Sequence, residues 1–191
     1  MFDYYKENKF DWLIIGGIEQ VIGDFSNHLH TYLKEKSLGT IPVEINLIKS
    51  DELVEKSLDL LEIVERRNEK RLVKEFEQKL VLGFAVNGLE ATLQALMTGQ
   101  ARLLLVLEEF SHSGFKCPES GVLVLENREN LCPEGKRPIP VVDIVNEVIE
   151  EALGQKMEVE VIRAEEARKK IDGIGAILRY KKQSENALRQ P

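Results

Sequence analysis

The chain has 191 residues, of which 43% are hydrophobic and 31% are charged, and its formal net charge is −7. This composition is typical of a folded globular protein and excludes an intrinsically disordered one. The acidic balance disfavours generic nucleic-acid binding, which depends on an excess of Lys and Arg. No apolar run approaches the roughly 18–20 residues that a membrane-spanning helix needs.

The N-terminal residues lack the basic start and the apolar stretch of a secretory signal peptide. The two cysteines are too few for a secreted disulfide scaffold. The sequence therefore predicts a cytoplasmic protein that does not associate with a membrane.

The first part of the chain predicts a small α/β unit. Residues 10–17 have the pattern of a buried strand that ends at two glycines, and residues 18–36 follow with apolar side chains at helical spacing. Residues 39–42 predict a turn, and residues 43–47 alternate as a half-buried strand does.

A long charged helix follows this unit. It begins at Ser50, a good N-cap residue, and continues to about residue 80. Its charged run at residues 65–71 has almost no apolar side chain, so we expect that run to be a solvated helix face.

The rest of the chain predicts a second alternation of helices and strands. Most of its Gly, Pro and Cys lies between residues 110 and 138, around a short strand at 122–125. The remaining elements are helices at 88–98, 140–153 and 164–171, and strands at 101–107, 159–162 and 173–180. Alternation of this kind predicts a layered α/β architecture.

The predicted fold class is therefore α/β, with two α/β units joined by the long charged helix. The first unit and the helix cover residues 1–82, with the helix at about 50–80. The second unit covers residues 83–182 and contains an insertion at about 111–138. We expect residues 183–191 to be a frayed tail.

Two Cys-Pro segments in the insertion match the halves of a zinc ribbon. Such a ribbon has two Cys-Pro-x-Cys-Gly knuckles, and their four thiolates close a tetrahedral zinc site. Here Cys117 and Cys132 supply the first cysteine of each knuckle. Ser120 and Gly135 stand where the second cysteines would be, so half of the ligands are missing.

Three alternatives remain open for the two cysteines. They are the remnant of a degenerate ribbon without metal, or part of a zinc site completed by other groups, or a disulfide pair. A disulfide that closes a loop of about 15 residues contributes roughly 3 kcal/mol in the chain-entropy model, but the reducing cytosol argues against it. The groups that could complete a zinc site are His112, Glu119 and Glu134.

Three features of the second unit occur in the same order in one known family. They are the helix–strand pair at 89–106, the two Cys-Pro knuckles, and the stretch at 172–180 that ends in Ile-Leu-Arg-Tyr. Together they resemble the terminal domain of the archaeal and eukaryotic class-1 peptide chain release factors. Pelota and the kink-turn-binding ribosomal proteins share this domain, and archaeal release factors carry a zinc ribbon where the knuckles lie.

The first unit is similar, more weakly, to the end of the middle domain of bacterial release-factor-like proteins. Those proteins have a strand ending in Gly-Gly, a helix, a Gly-Thr turn and a long charged helix in this order. The chain is thereby identified as the C-terminal portion of a bacterial relative of the release-factor family. The resemblance implies that the second unit is an α-β-α sandwich with a small, degenerate zinc-ribbon-like insertion.

The resemblance implies a docking role. In these factors the terminal domain binds a translational GTPase or other ribosome-associated partners, and a Gly-Gly-Gln loop in the middle domain carries peptidyl-tRNA hydrolysis. That tripeptide does not occur here, and the nearest match, at residues 16–18, reads as a strand-to-helix turn whose glycines allow unusual backbone dihedrals. We therefore predict no enzymatic activity, no catalytic or cofactor-binding residue and no bound metal.

The competing function is recognition of a kink-turn RNA. The RNA-binding version of the domain uses Asn-Glu-x-Thr-Lys at the start of its first helix, and the matching residues here are 89–93. Leu89 and Leu93 replace the Asn and the Lys, and leucine can neither hydrogen-bond a base edge nor neutralise a phosphate. RNA binding is therefore disfavoured, and we expect Glu90 and Thr92 to be ordinary surface and helix residues.

Overall fold

The computed structural model describes residues 9–181. Contacts between residues divide the chain into two units, with the division between Asn68 and Glu69. The domain boundary that the sequence predicts after residue 82 stays a prediction. The tail predicted at 183–191 lies outside the described residues.

The first unit is a short α/β arrangement that precedes a long helix. Its strands are β1, Leu13–Gly17, and β2, Ser37–Pro42, which pair in parallel. Two helices, α1 at Glu19–His28 and α2 at Thr31–Glu35, connect the strands. The long helix α3, Ser50–Leu82, has 33 residues and confirms the predicted charged helix. In the described part of the chain, no helix is both long enough and apolar enough to cross a membrane.

The continuous helix predicted at 18–36 is wrong. The chain turns extended at Leu29, where ψ is 141°, and the side chain of His30 then accepts a hydrogen bond from the backbone N–H of Tyr32. This contact caps α2 and separates it from α1. The apolar residues keep their helical spacing across the break at Leu29 and His30. The spacing therefore did not indicate that the helix is interrupted there.

The turn predicted at 39–42 and the strand predicted at 43–47 are also wrong. Residues 39–42 lie inside β2, and Gly39 has a φ of 151° beside a shift in the pairing register of the two strands. The glycine therefore marks a bulge in a strand instead of a turn. The alternation after it does not reflect burial, because Ile45 and Leu47 are 67% and 75% exposed.

Up to residue 181, where the described residues end, the second unit contains seven strands and two further helices after α3. The first five elements are β3 (Ala85–Asn87), α4 (Leu89–Met97), β4 (Ala101–Leu107), β5 (Gly114–Lys116) and β6 (Leu123–Val124). The last four are β7 (Ile139–Val141), α5 (Ile144–Gly154), β8 (Glu158–Ile162) and β9 (Ile174–Leu178). Short 3-10 segments occupy Glu129–Leu131 and Glu165–Lys169.

These strands form two sheets. The larger one has the order β3-β9-β4-β8, in which β4 and β8 are parallel and the other neighbours are antiparallel. The smaller one is antiparallel, has the order β6-β5-β7 and makes up the insertion.

Most predicted elements of this unit are confirmed, and two are wrong in part. The helix predicted at 140–153 begins later, because Asp143 Oδ1 accepts the backbone N–H of Val145 at 2.9 Å and caps α5 there. The helix predicted at 164–171 is one of the 3-10 segments. The three-residue strands β3, β5 and β7 were not predicted, because so short a run shows no periodicity.

The larger sheet is covered on both faces. In β4, Leu104 and Val106 point to one face, where they pack with the buried side chains of α4 and α5. Leu103, Leu105 and Leu107 point to the other face, where α3 contributes its own buried side chains. This arrangement is an α-β-α sandwich, and it confirms the predicted α/β class.

Strand β9 packs unusually close to α3. A Cβ atom built on Gly175 would lie 2.7 Å from Cζ of Phe76 and 3.0 Å from the carbonyl oxygen of Val86. Phe76 is fully buried, so its ring cannot move into solvent. Only glycine allows this approach of the strand to the helix.

Candidate functional site

The two Cys-Pro knuckles lie side by side and are joined covalently. Cys117 and Cys132 form a disulfide, and their side chains are 1% and 4% exposed. Each knuckle is a tight turn, in which Gly121 and Gly135 donate their backbone N–H groups to the carbonyl oxygens of Cys117 and Cys132. Of the three alternatives that the sequence left open, the structure contains the disulfide.

A carboxylate from the second knuckle caps the first. Glu134 Oε1 accepts the backbone N–H of Glu119 at 3.0 Å and that of Ser120 at 3.4 Å. Partial burial on its own raises the pKa of Glu134, but hydrogen bonds from Glu119, Ser120 and its own backbone outweigh that effect and lower the pKa to about 2. Lys136 also forms an ion pair with Glu119, which ties the same two turns together.

The knuckles do not fit a zinc ion in this state. The two sulfur atoms and a carboxylate oxygen of Glu134 all lie within 4.8 Å of one another, and Glu134 Oε2 is buried without a hydrogen-bond partner. Zinc of the ribbon type needs four donors, however, and thiolates are the sulfur ligands it takes. Sulfurs bonded to each other are not thiolates, and neither Ser120 nor Gly135 replaces the missing cysteines.

The other groups considered for a zinc site lie elsewhere. His112 is outside the sulfur–carboxylate cluster, and its Nδ1 lies 2.5 Å from the carbonyl oxygen of Ser113. Glu119 is occupied by Lys136. Glu134 is therefore the one candidate of the three that the structure brings to the cysteines.

The insertion is anchored to α5. Ile144 donates its backbone N–H to the carbonyl oxygen of His112 at 2.8 Å, and a Cβ atom on Gly114 would lie 2.5 Å from the side chain of Ile144. Lys116 and Glu147 form an ion pair at 2.6 Å, and their hydrogen bond raises the pKa of Lys116. These contacts hold the small sheet in a fixed place on the sandwich.

The start of α4, where the RNA-binding version of the domain contacts RNA, belongs mostly to the core. Leu89 and Leu93 are 9% and 5% exposed. Thr92 is fully buried and its hydroxyl has no hydrogen-bond partner, so the prediction that it is a surface residue is wrong. Glu90 is exposed, as predicted.

A groove lies between α4 and the insertion. Its volume is about 620 Å³, and its lining combines apolar and polar side chains. No sequence pattern indicated this groove, because its two walls lie far apart in the chain and meet only when it is folded. Six of its lining residues are Glu90, Leu93, Met97, Leu123, Glu126 and Leu131. We refer to it as the α4 groove.

The first unit contains an apolar pocket of about 390 Å³. Ile18, Val21 and Phe25 of the helix predicted at 18–36 help to line it, and they are 52%, 61% and 43% exposed. Their spacing correctly indicated one helix face, but that face is open within this unit.

Gly16 and Gly17 end β1, and α1 begins two residues later, which confirms the predicted strand-to-helix turn. Neither glycine has a positive φ, so the prediction of unusual dihedrals is wrong. A Cβ atom on either would lie 3.4 Å from a neighbouring side chain, which is about van der Waals contact, so the packing here does not require glycine. Gln20 lies within α1.

The predicted solvated face at 65–71 contains one buried carboxylate. Glu69 is 7% exposed, and its Oε2 accepts the backbone N–H groups of Arg163 at 3.1 Å and Ala164 at 2.9 Å. The prediction is therefore wrong at Glu69, which fixes the end of β8 against α3. A single buried carboxylate in a charged run leaves no periodic signal in the sequence.

Comparisons with known proteins find relatives of this chain, and the matching family model covers most of the second unit. A family model described as eRF1 domain 3 matches residues 66–182. The chain is 32% identical over 200 residues to peptide chain release factor subunit 1 of Archaeoglobus fulgidus, covering 93% of this chain and 48% of that protein. It is 29% identical over 202 residues to the protein of the same name from Pyrococcus abyssi, covering 92% and 49%. The chain thus spans about half the length of the curated relatives it matches.

Solved structures share the fold. The C-terminal domain of a peptide chain release factor from Methanosarcina mazei superposes with a TM-score of 0.52 at 23% identity, covering 71% of this chain and 98% of that one. Dom34 of S. cerevisiae, a translation termination-like factor, gives 0.56 at 12% identity, covering 96% and 51%. A model of ribosome-bound archaeal Pelota and ABCE1 gives 0.56 at 20% identity, covering 95% and 47%. At these identities the likeness is one of fold.

Proposed function

The chain belongs to the eRF1 domain 3 family, and on that premise we propose that it is the docking module of a release-factor-like translation protein. The observation that carries this proposal is the match of the family model to residues 66–182, which includes nearly all of the second unit. We propose that its partners are the ribosome, a translational GTPase-like protein, or both.

The named relatives support this choice of partners. One solved relative is a model of archaeal Pelota bound to the ribosome together with ABCE1. Another, Dom34, is described as interacting with Hbs1 in RNA quality control. We extend these partner classes to the present chain as a hypothesis, with the cytoplasm as the compartment where such partners are found.

We propose that the chain contributes binding and no peptidyl-tRNA hydrolysis. The Gly-Gly-Gln tripeptide of the release factors is missing from its sequence, and the nearest match is the packed end of β1. The chain corresponds to about half of its curated relatives, so any hydrolytic activity of a whole protein stays outside this proposal. The predicted bacterial affiliation is not supported, because the matched relatives are archaeal.

Co-sedimentation with archaeal ribosomes through a sucrose cushion tests the docking proposal. We expect the chain to pellet with ribosomes and to remain bound as salt is raised from about 50 to about 200 mM, because a chain of net charge −7 does not bind by neutralising phosphates. An unrelated acidic protein of similar size serves as the control.

Absence of pelleting at every salt concentration would contradict the ribosome as a partner. Pelleting that disappears over this salt range while a free kink-turn RNA binds with micromolar or tighter affinity would contradict the docking proposal. That second outcome would favour the RNA-binding function, which the burial of Leu89 and Leu93 argues against.

A further inference from the structure

We propose that the α4 groove binds an extended peptide that carries apolar side chains next to a Lys or Arg. This inference rests on the proposed docking function and names the surface and the chemistry of one partner segment. Three independent features of the groove point to such an occupant: its floor, its edge and its charge.

The groove contains a set of apolar side chains within a mixed lining, and some of them are open to solvent. Leu93 and Leu123 are buried beneath it, at 5% and 7% exposure. Met97 and Leu131 stand at its sides and are 56% and 37% exposed. Side chains placed between them would cover apolar surface on two walls at once, which is the usual basis of affinity at a docking surface. Methionine suits such a contact because its flexible side chain adapts to different partners.

The edge of the groove is formed by a strand that has, within residues 9–181, a neighbouring strand on one side only. In the small sheet β5 lies between β6 and β7, so β6 is an edge strand, and its Leu123, Val124 and the following Leu125 line the groove. An edge strand offers backbone N–H and C=O groups to an added strand. A peptide in extended conformation can therefore pair with β6 while its alternate side chains enter the groove.

The acidic side chains of the groove favour a peptide that carries a positively charged residue. Among the described side chains that line it, Glu90 and Glu126 are the charged ones. The carboxylate of Glu126 forms an ion pair with Arg128 at 2.7 Å. The carboxylate of Glu90 has no hydrogen bond or ion pair within residues 9–181. A Lys or Arg of the peptide would supply the opposite charge at Glu90, and a nucleic-acid phosphate would be repelled there.

Peptide titration tests this assignment. The probe is a fluorescein-labelled synthetic hexapeptide, Lys-Leu-Val-Leu-Val-Lys, and the control probe has Glu in place of both lysines. By fluorescence anisotropy we expect the full chain to bind the lysine peptide at least about tenfold more tightly than the glutamate peptide.

Three variants localise the binding. Met97→Ala removes apolar contact without adding charge, and Glu90→Lys reverses the charge; both change exposed side chains, so we expect both to fold and to weaken binding of the lysine peptide about tenfold or more. Glu90→Lys should also improve binding of the glutamate peptide. Val142→Ala truncates an apolar side chain that is 94% exposed and does not line the groove, and it should leave binding unchanged.

The inference is wrong if the wild-type chain does not distinguish the two peptides. It is equally wrong if Met97→Ala and Val142→Ala bind the lysine peptide alike, or if a kink-turn RNA displaces the peptide. Ribosome pelleting separates this inference from the proposed function. Selective peptide binding without pelleting supports the groove and contradicts the ribosome as a partner, whereas pelleting without peptide selectivity contradicts the groove alone.

Discussion

The carboxylate of Glu134 helps to connect the two knuckles, a task that a zinc ion performs in a zinc ribbon. In a ribbon, one ion ties the two knuckles together through four thiolates. Here a disulfide joins Cys117 to Cys132, and the Glu134 carboxylate accepts backbone N–H groups from the opposite knuckle. A covalent link and a charged acceptor thus make the same connection between the two turns.

The low pKa of Glu134 predicts how its contribution changes with pH. The folded pKa, about 2, lies below the ordinary value of 4.5, so the stabilisation is present above pH 4.5 and is lost as the pH falls from about 4.5 to about 2. A carbon-detected NMR titration of the Glu134 carboxyl should give a midpoint near 2.

The variant Glu134→Gln should show the same effect by urea denaturation. It keeps an acceptor oxygen but loses the charge, so its stability deficit should shrink as the pH falls through this range. Glu160→Gln, at an exposed position on β8, is the control. A carboxyl midpoint at or above 4.5 would contradict the hydrogen-bonded arrangement.

Residue roles could be predicted where they depend on the residue alone. The Cys-Pro motifs identified Cys117 and Cys132 as a related pair. The side chains of Leu89 and Leu93 cannot contact RNA, which predicted that RNA binding is disfavoured. Thr92 was misjudged because its burial depends on the sheet beneath α4, and Glu69 because its partners lie about 94 residues away. Such partners become visible only when the chain is folded.

At the scale of elements, the contact between β9 and α3 shows how closely the sandwich is packed. Gly175 lets the strand approach until the ring of Phe76 occupies the space of a side chain. Its neighbours Ile174 and Ala176 face α4 and α5, so the strand is covered on both faces. The sequence of α3 is charged along most of its length, but at Phe76 the helix contributes to the hydrophobic core.

Gly175→Ala should destabilise the second unit. The added methyl overlaps the buried Phe76 ring and touches the backbone oxygen of Val86, so we expect a loss of about 1–3 kcal/mol in the free energy of unfolding. Urea denaturation followed by far-UV circular dichroism measures it, because the single tryptophan, Trp12, lies in the first unit.

Gly154→Ala is the matched control. A Cβ atom there meets nothing within 4 Å, so the change should have little effect. Equal stability of the two variants would show that β9 does not approach α3 as described.

The long elements were predictable from the sequence, whereas most of the very short strands were not. The 33-residue helix α3 and the seven-residue strand β4 were recovered from periodicity and apolar content. The strands β3, β5 and β7 were missed because pairing, and not local sequence, makes three residues a strand. In β2 a bulge at Gly39 imitated a turn, since the same residue type serves both structures.

At the scale of the whole molecule, the evidence for function lies in the second unit. The family model covers 66–182, and the insertion, its disulfide and the α4 groove all belong to that unit. The resemblance to a release-factor domain came from motifs in the sequence and is confirmed by the family match. The groove was beyond sequence reasoning, because it requires α4 and the insertion to be placed side by side.

Hydrogen–deuterium exchange of the chain bound to archaeal ribosomes tests the docking account most directly. We predict that binding slows exchange in peptides of the second unit, above all in α4 and in the insertion at 114–141, relative to the free chain. Binding that slows exchange only within residues 9–68, or that leaves the second unit unchanged, would contradict the claim that this unit is the docking module.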